Sequence, residues 1–255
     1  MPRIVITPHD ITNSTITIRD PKAVHHLSRV LRVAVGESLE CIDGQGRVYA
    51  GVIVSCARDV VTVRIERQRE EPPPVCEIAL LPALVKLERF EWMIEKATEL
   101  GVAHIRPLLS QRTTVRPPAA RSQNRLARWQ RIATSAAAQC GRATVPSIEA
   151  PAPFEEAMQT LAGWPIVIPT LLERGPLLAA YLASHPPVPR IALVIGPEGD
   201  FTAEEVRLAQ SHGAAVVSLG RLTLRAETAA LATVTLVQAA AGEMAAPSSN
   251  RPSSA

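Results

Sequence analysis

Two loops near the C-terminus of this 255-residue chain contain residues whose types and spacing could bind a small ligand. The apolar run 191–195 ends at Gly196, in the sequence Gly-Pro-Glu-Gly-Asp, and the apolar run 216–219 ends at Gly220. Each run predicts a strand followed by a loop and a helix, which places main-chain N–H and C=O groups at the carboxyl edge of a parallel sheet. Neither loop has the phosphate-binding spacing G-x-x-x-x-G-K-[ST] or G-x-G-x-x-G. We therefore expect a ligand other than a nucleoside di- or triphosphate.

A block of arginines in the middle of the chain indicates a second kind of chemistry. Residues 101–148 contain eight arginines and no lysine, aspartate or glutamate, although the net charge of the whole chain is only +3. The arginine side chain is a planar fork that binds phosphates and stacks on bases, so the block predicts a contact with RNA. The alternative is a solvated helix face, which is the commoner role of a charged run. The eight residues are Arg106, Arg112, Arg116, Arg121, Arg125, Arg128, Arg131 and Arg142.

Composition limits the class of protein. With 47% apolar residues the chain can bury a core, and the N-terminal residues lack the basic and apolar regions of a secretion signal. We expect a cytoplasmic protein that does not span a membrane. The four cysteines are widely spaced and include no C-x-x-C pair, which favours reduced, structural cysteines over a zinc ribbon or a disulfide framework. The sequence contains no cluster of potential metal ligands, so we expect no metal site.

The elements that must position these residues divide into two regions. Over residues 1–72, short β-like runs separated by turns predict a small β-barrel, and a proline-rich linker follows. One helix interrupts the barrel, with Asp20 as its N-cap, Pro21 at its first position, and Val24, Leu27 and Leu31 on its apolar face. The other side of this helix is solvated or contacts RNA, and it contains His25, His26, Arg29 and Arg32.

Over residues 73–244 the pattern changes to alternating strands and helices, which predicts parallel strands with helices on the faces of the sheet. Thr202 and Glu205 have the spacing of a capping box, which fixes the start of one helix and therefore the loop before it. A Ser/Pro-rich tail over 245–255 is predicted to be disordered. The predicted elements are a strand at 78–81, helices at 86–100 and 123–140, and strand–helix pairs at 166–168 with 176–183, 191–195 with 203–212, and 216–219 with 227–241.

An ordered set of motifs over most of the chain resembles the RsmE family, whose members methylate N3 of a uridine in 16S ribosomal RNA of the small subunit. Each motif is weak by itself, and the specificity of the resemblance comes from their order. The motifs are HHLSRVLR at 25–32, Lys86, IEKATELGV at 94–102, SQR at 110–112, QCGR at 139–142, GPEG at 196–199, LG at 219–220 and LRAETA at 224–229.

The resemblance implies an α/β fold: a C-terminal SPOUT methyltransferase domain with a deep trefoil knot, preceded by an N-terminal PUA-like β-barrel. It also implies a homodimer that binds S-adenosyl-L-methionine (SAM) and needs no metal. Carried over by position, the cofactor-binding residues are Pro169, Thr170, Leu171, Ile195, Gly196, Pro197, Glu198, Gly199, Leu219, Gly220, Leu224, Arg225, Glu227 and Thr228. The expected RNA-binding residues are Arg29, Arg32, Lys86, Arg112, Arg116, Arg125, Arg128 and Arg142.

The implied reaction assigns roles to a few charged side chains. Methyl transfer to uridine N3 requires loss of the N3 proton, and the negative charge that develops spreads over O2 and O4. Cationic forks suit that charge, so Arg225, Arg112 and Arg142 are the candidate catalytic residues. Arg142 could instead bind carbonyls at a helix C-terminus. Glu198 and Glu227 could orient the cofactor or accept a proton, and a position in the first turn of a helix is an equal alternative for Glu227.

Four positions depart from the family pattern, namely Ala138, Asp200, Arg221 and Ala226. These departures affect side chains and leave a cofactor site made of main chain and glycines intact. Two other functions stay open. One is a SPOUT methyltransferase that acts on another RNA site or atom, such as the ribose 2′-oxygen. The other is a catalytically silent RNA-binding protein with the same fold.

Overall fold

The computed structural model describes residues 1–116, 122–186 and 188–244, so that Arg121 and the predicted disordered tail lie outside the described residues. The chain forms two compact units. The first contains Met1–Pro73 and Gln130–Pro146, and the second contains the rest of the described chain. The helix Ser122–Cys140 contributes residues to both units, because its second half belongs to the first unit.

The first unit is built on one six-stranded sheet with the strand order β1-β4-β5-β6-β3-β2. Two register shifts, between Ala50 and Gly51 and between Ile53 and Ser55, interrupt the pairing of β5 with β6. Such bulges bend a strand and increase its twist, which curls the sheet around its apolar face. The strands are β1 Arg3–Val5, β2 Ile11–Thr12, β3 Thr15–Ile18, β4 Ser38–Ile42, β5 Arg47–Cys56 and β6 Val61–Glu70.

A short helix, α1 (Pro21–His25), follows β3 and begins as predicted. The Asp20 carboxylate accepts a hydrogen bond from the Ala23 amide at 2.8 Å, and Pro21 is the first helical residue. A π-helical turn over His26–Val30 follows directly. Because a π turn contains more residues than an α turn, Leu31 rotates away from the buried face and is 41% exposed. The prediction that Leu31 is buried was therefore wrong.

The second unit is an α/β structure, as predicted, and its strands pair in parallel in the order β10-β8-β7-β13-β12-β14. A separate two-stranded parallel pair joins β11 to β9. The strands are β7 Glu77–Pro82, β8 His104–Ile105, β9 Leu108–Leu109, β10 Ser147–Ile148, β11 Ala152–Pro153, β12 Ile166–Pro169, β13 Arg190–Ile195 and β14 Ala214–Val217. The helices are α2 Leu87–Glu99, α3 Ser122–Cys140, α4 Phe154–Thr160, α5 Leu178–Ser184, α6 Ala203–Ser211 and α7 Ala226–Ala240.

Apolar side chains of the central strands pack against α4 and α6 to form the core of the second unit. Thr202 and Glu205 form the predicted capping box at the start of α6, which fixes the preceding loop against this core. The four cysteines are free, as predicted. Within the described ranges, no helix is long and apolar enough to cross a bilayer. The same residues contain no group of three or more His, Cys, Asp or Glu side chains arranged for a metal ion.

Candidate functional site

A hollow of about 560 Å³, open to solvent, lies at the carboxyl ends of β12, β13 and β14. In the sheet, β12 lies between the other two strands, so the chain passes from β12 to β13 on one side and then crosses to β14 on the other. The loops that leave β12 and β13 therefore diverge at their carboxyl ends and leave a crevice between them. Such switch points are where open α/β sheets bind ligands.

Three loops line this hollow, and most of the predicted cofactor residues are among them. The first loop follows β12, the second follows β13, and the third connects β14 to the first turn of α7. The predicted residues that line the hollow are Pro169, Thr170, Leu171, Ile195, Gly196, Pro197, Glu198, Leu219, Gly220 and Leu224.

Four of the predicted cofactor residues flank the hollow without lining it: Gly199, Arg225, Glu227 and Thr228. Five lining residues were not among the individually named cofactor residues, although three of them lie in the expected cofactor loop at 219–228: Asp200, Leu222, Thr223, Ala226 and Ala229. The helical spacing of Ala226 and Ala229 was a usable signal, since residues three apart share a helix face. The signal for Asp200 was weaker, because its role depends on residues far away in the sequence.

Side-chain hydrogen bonds connect the loops around the hollow. The Asp200 carboxylate accepts hydrogen bonds from Thr170 Oγ1 at 2.8 Å and from the Leu171 amide at 2.7 Å, which joins the β12 loop to the β13 loop. On the other side, Arg112 Nη1 donates to the carbonyl oxygens of Gly199 at 2.7 Å and Phe201 at 3.1 Å. In this arrangement Arg112 holds the main chain of the β13 loop.

Arg89, on the first turn of α2, connects the second and third loops. Its Nη1 donates to Glu198 Oε1 at 3.2 Å, and its Nε lies 3.7 Å from Glu227 Oε1. The Glu227 side chain is only 10% exposed, and its other oxygen, Oε2, has no hydrogen-bond partner among the described residues. Glu227 is thus a buried carboxylate at the edge of the hollow with one unused acceptor. Sequence analysis missed Arg89, since its partners are 109 and 138 residues away.

Arg225 is the N-cap residue of α7 and lies between Leu224 and Ala226, which both line the hollow. The residue is exposed, and its side chain does not cap the helix. Over the ranges that the structure describes, no hydrogen bond or ion pair engages the Arg225 guanidinium. Arg225 is therefore a cation next to the hollow with all of its donors available to a ligand.

Comparisons with known proteins assign the chain that forms this site to a family. A family model for an RNA methyltransferase domain matches residues 71–238, and a model for an RNA methyltransferase PUA domain matches residues 18–66. The ribosomal RNA small subunit methyltransferase E of Synechocystis sp. is 38% identical over 92% of this chain and 76% of its own length. The chain belongs to the RsmE family.

Solved structures of similar proteins agree with the RsmE assignment. The ribosomal RNA small subunit methyltransferase E of Neisseria gonorrhoeae, bound to SAM, is 29% identical over 94% of this chain and 97% of its own, with a TM-score of 0.82. A protein from Legionella pneumophila, solved in complex with the bound cofactor SAM, is 30% identical over 93% of this chain and 97% of its own, with a TM-score of 0.83. The predicted fold class is confirmed: an α/β methyltransferase domain of the SPOUT type with an N-terminal PUA-like domain.

Arg142, the third candidate catalytic residue in this RsmE-family chain, belongs to the first unit. Its Nε donates to Thr144 Oγ1 at 2.8 Å, and burial lowers the pKa of its guanidinium. It is half-buried and follows Gly141, whose φ of +91° ends α3. Because at least one of its donors is used within the first unit, Arg142 contributes to local structure there.

The expected RNA-binding side chains of the RsmE-family chain differ in their exposure and in their ion pairs. Arg128 forms a two-pronged ion pair with Glu91, with Nη2 at 2.7 Å from Oε2. A count over 101–148 missed this acid, since Glu91 precedes that range. Arg125 is half-buried. Arg112 is exposed and donates to two carbonyl oxygens. The exposed residues of this group whose side chains form neither an ion pair nor a hydrogen bond within the described residues are Arg29, Arg32, Lys86 and Arg116.

Proposed function

We propose that this protein transfers the methyl group of SAM to N3 of a specific uridine in 16S ribosomal RNA of the small subunit. The observation that carries the proposal is the hollow at the carboxyl ends of β12, β13 and β14, next to the exposed and unpaired Arg225. The hollow is lined mainly by apolar side chains and loop main chain, and it meets no cluster of cations among the described residues. Such a lining suits a cationic sulfonium cofactor better than a polyphosphate.

Bound SAM supplies an electrophilic methyl group on a positively charged sulfur, so no covalent protein nucleophile is required. The remaining task for the protein is to stabilise the uridine as the N3 proton leaves. Arg225 is the residue that we assign to this task, because a guanidinium can donate to O2 or O4 while negative charge develops there. Arg112 and Arg142 stay candidates for contacts with the base or the RNA backbone, since a guanidinium suits both.

Glu227 is our candidate for the group that receives the N3 proton or orients the cofactor. Its side chain is 10% exposed, and the Oε2 atom has no hydrogen-bond partner in the described part of the chain. A buried carboxylate oxygen without a hydrogen bond destabilises the folded protein, unless a ligand donates a hydrogen bond to it or a proton binds it. Glu198, by contrast, is 43% exposed and accepts a hydrogen bond from Arg89, which favours a supporting role.

We also infer the assembly in which this site works. Leu171 and Leu222 line the hollow and are 66% and 63% exposed, and large exposed apolar side chains at a site support its coverage by a second copy of the chain. A homodimer, a trefoil knot around β14 and a cytoplasmic location next to the ribosomal RNA substrate complete the proposal. We also propose domain boundaries at 1–72 and 73–244, with Gln130–Pro146 of the second domain packed in the first compact unit.

The test is methylation of small subunits by the purified protein with SAM, followed by nucleoside mass spectrometry of the 16S ribosomal RNA. We expect 3-methyluridine to appear in proportion to enzyme and SAM. A product methylated only on the ribose 2′-oxygen would replace the proposed reaction by that of another SPOUT methyltransferase. Calorimetry with SAM tests the silent alternative, which requires that the protein bind RNA but not the cofactor.

A further inference from the structure

The Asp200 carboxylate accepts three hydrogen bonds at the edge of the hollow. Its Oδ2 accepts from Thr170 Oγ1 and from the Leu171 amide, at 2.8 and 2.7 Å. Its Oδ1 accepts from the amide of the next residue, Phe201, at 2.7 Å. Both carboxylate oxygens are therefore used, and two of the three bonds cross from the β13 loop to the β12 loop.

The backbone at Asp200 indicates that this arrangement is imposed by its surroundings. Its φ is +59°, in the left-handed region that most residues with a side chain avoid. Aspartate tolerates this region when its short carboxylate bonds to an amide of its own turn, and the bond to the Phe201 amide is of that kind. The carboxylate thus stabilises the turn of its own loop and fixes a neighbouring loop in one step.

Thr170 is the residue through which the connection reaches the β12 loop. It is 7% exposed and lines the hollow. Its hydroxyl donates to Asp200, and the same oxygen accepts from the Leu172 amide at 3.1 Å. Because the hydroxyl both donates and accepts within the protein, Thr170 contributes to the position of the loop.

The other side of the β13 loop is held independently. Arg112 binds the carbonyl oxygens of Gly199 and Phe201, and the neighbouring Gln111 amide donates to Glu205 Oε1 at 2.7 Å on the first turn of α6. The β13 loop is therefore anchored to α6, which makes it a fixed support. Asp200 extends that support to the β12 loop across the hollow.

We propose that Asp200 is a positioning residue that sets the separation of the β12 and β13 loops and so pre-forms the cofactor site. This inference rests on the proposed function, since it takes SAM as the ligand of the hollow. In the absence of the carboxylate, the β12 loop samples other positions, and only a fraction of molecules are competent to bind. The apparent dissociation constant rises in inverse proportion to that fraction.

The test begins with SAM binding measured by calorimetry for Asp200→Ala. We expect the dissociation constant to rise by about 10-fold, and KM for SAM to rise in parallel. Because the loop acts before chemistry, kcat at saturating SAM should stay within about 3-fold of the wild type. Asp200→Asn keeps one oxygen acceptor, so its dissociation constant for SAM should lie between those of the wild type and Asp200→Ala. This split of KM from kcat separates positioning from a general loss of structure.

A double variant tests whether Asp200 acts through Thr170. If it does, Thr170→Val weakens SAM binding, and Asp200→Ala combined with Thr170→Val weakens it little further than Asp200→Ala does. The matched control is Asp43→Ala in the first unit. The Asp43 carboxylate accepts from the amides of Gln45 and Arg47, at 2.8 and 3.0 Å, in a similar turn. This control should bind SAM like the wild type.

Hydrogen exchange of the protein without SAM distinguishes failure of this inference from failure of the proposed function. We expect the segment 169–172 to exchange faster in Asp200→Ala, because the Leu171 amide loses its acceptor. A wild type that binds no SAM contradicts the proposed function, while the exchange result still decides whether Asp200 fixes the loop. Unchanged exchange, wild-type SAM affinity in Asp200→Ala, or effects of the two substitutions that multiply in the double variant would each overturn the inference.

Discussion

At the scale of single residues, the three candidate catalytic arginines have different surroundings. Arg112 uses donors on two carbonyl oxygens of the β13 loop, and Arg142 donates to Thr144 within the first unit. Arg225 is exposed at the start of α7, and its guanidinium forms no hydrogen bond or ion pair within the described residues. Only a guanidinium with free donors can follow charge that appears during a reaction. This contrast is why we assign the central role to Arg225.

Replacement of Arg225 by Ala should therefore lower kcat by about 100-fold, as expected for loss of one preorganised donor to a developing anion. The affinity for SAM should change by less than about 3-fold, since the hollow is formed by other residues. Folding should be preserved, because the Arg225 side chain does not cap α7. Single-turnover methylation with calorimetry measures both quantities.

Arg207→Ala is the matched control for Arg225. Arg207 lies on α6 and pairs with Glu204, and both side chains are largely exposed. This substitution removes the same charge from the second unit and should leave kcat unchanged. Full activity of Arg225→Ala would remove Arg225 from the mechanism, and an equal loss in both variants would point to net charge instead.

At the scale of elements, the segment that follows the β12 loop lies directly against the end of β14. The Leu178 amide donates to Ser218 O at 2.9 Å, and the Ser218 amide donates to Pro176 O at 2.8 Å. A Cβ atom on Gly175 would lie 2.3 Å from Val216 O, closer than any real contact of that kind. Gly175 therefore permits two stretches of main chain to touch beside the parallel bridge between Leu177 and Ser218.

Gly175→Ala should consequently destabilise the protein by about 3 kcal/mol or more, because the added methyl group meets backbone that cannot move aside. Denaturant unfolding of the wild type and the variant measures the difference. Gly199→Ala is the control, since a Cβ there meets only the flexible Arg112 side chain at 3.5 Å. Equal stability of Gly175→Ala and Gly199→Ala would mean that the main-chain contact between Gly175 and Val216 is looser than described.

At the scale of the whole molecule, we expect cations of both units to contact RNA. The first unit presents Arg29 and Arg32 around the π-helical turn, both exposed and unpaired within the described ranges. The second unit contains Arg128, whose charge is balanced by Glu91. An unpaired cation releases a counterion when it binds phosphate, whereas a paired one must first give up its partner.

RNA affinity should therefore fall as salt rises, with a steepness that depends on the unpaired cations. Replacement of Arg29 and Arg32 by Ala should reduce the slope of log K against log salt by about 0.7 for each phosphate that these side chains neutralise. Arg128→Ala should change this slope by less than the replacement of Arg29 or Arg32 does, because the charge of Arg128 is already balanced by Glu91. Filter binding of 16S ribosomal RNA fragments from low to physiological salt provides the measurement. An RNA affinity that does not depend on salt would contradict the expectation that these cations bind RNA phosphates.

Local patterns in the sequence predicted much of this fold. β13 spans Arg190–Ile195, close to the expected strand at 191–195, since a short apolar run that ends at a turn signal defines a strand locally. The capping box of Thr202 and Glu205 gave the start of α6 because its hydrogen bonds span three residues. Two glycine-ended strands predicted the hollow, because the carboxyl ends of parallel strands meet at one edge of the sheet.

Contacts between distant residues could not be predicted in this way. Asp200 and Thr170 are 30 residues apart, and Arg128 and Glu91 are 37 residues apart. No local period connects such pairs, because strand order and helix packing bring them together. The π-helical turn after His25 is local, yet it breaks the 3.6-residue period on which the expectation for Leu31 depended.

The central claim is that this protein methylates N3 of a uridine in 16S ribosomal RNA. Modification mapping of that RNA, from cells with and without the protein, tests it most directly. We predict one 3-methyluridine that is present in the first sample, absent in the second, and restored by the wild-type protein but not by Arg225→Ala. Identical modification in cells with and without the protein would contradict the account.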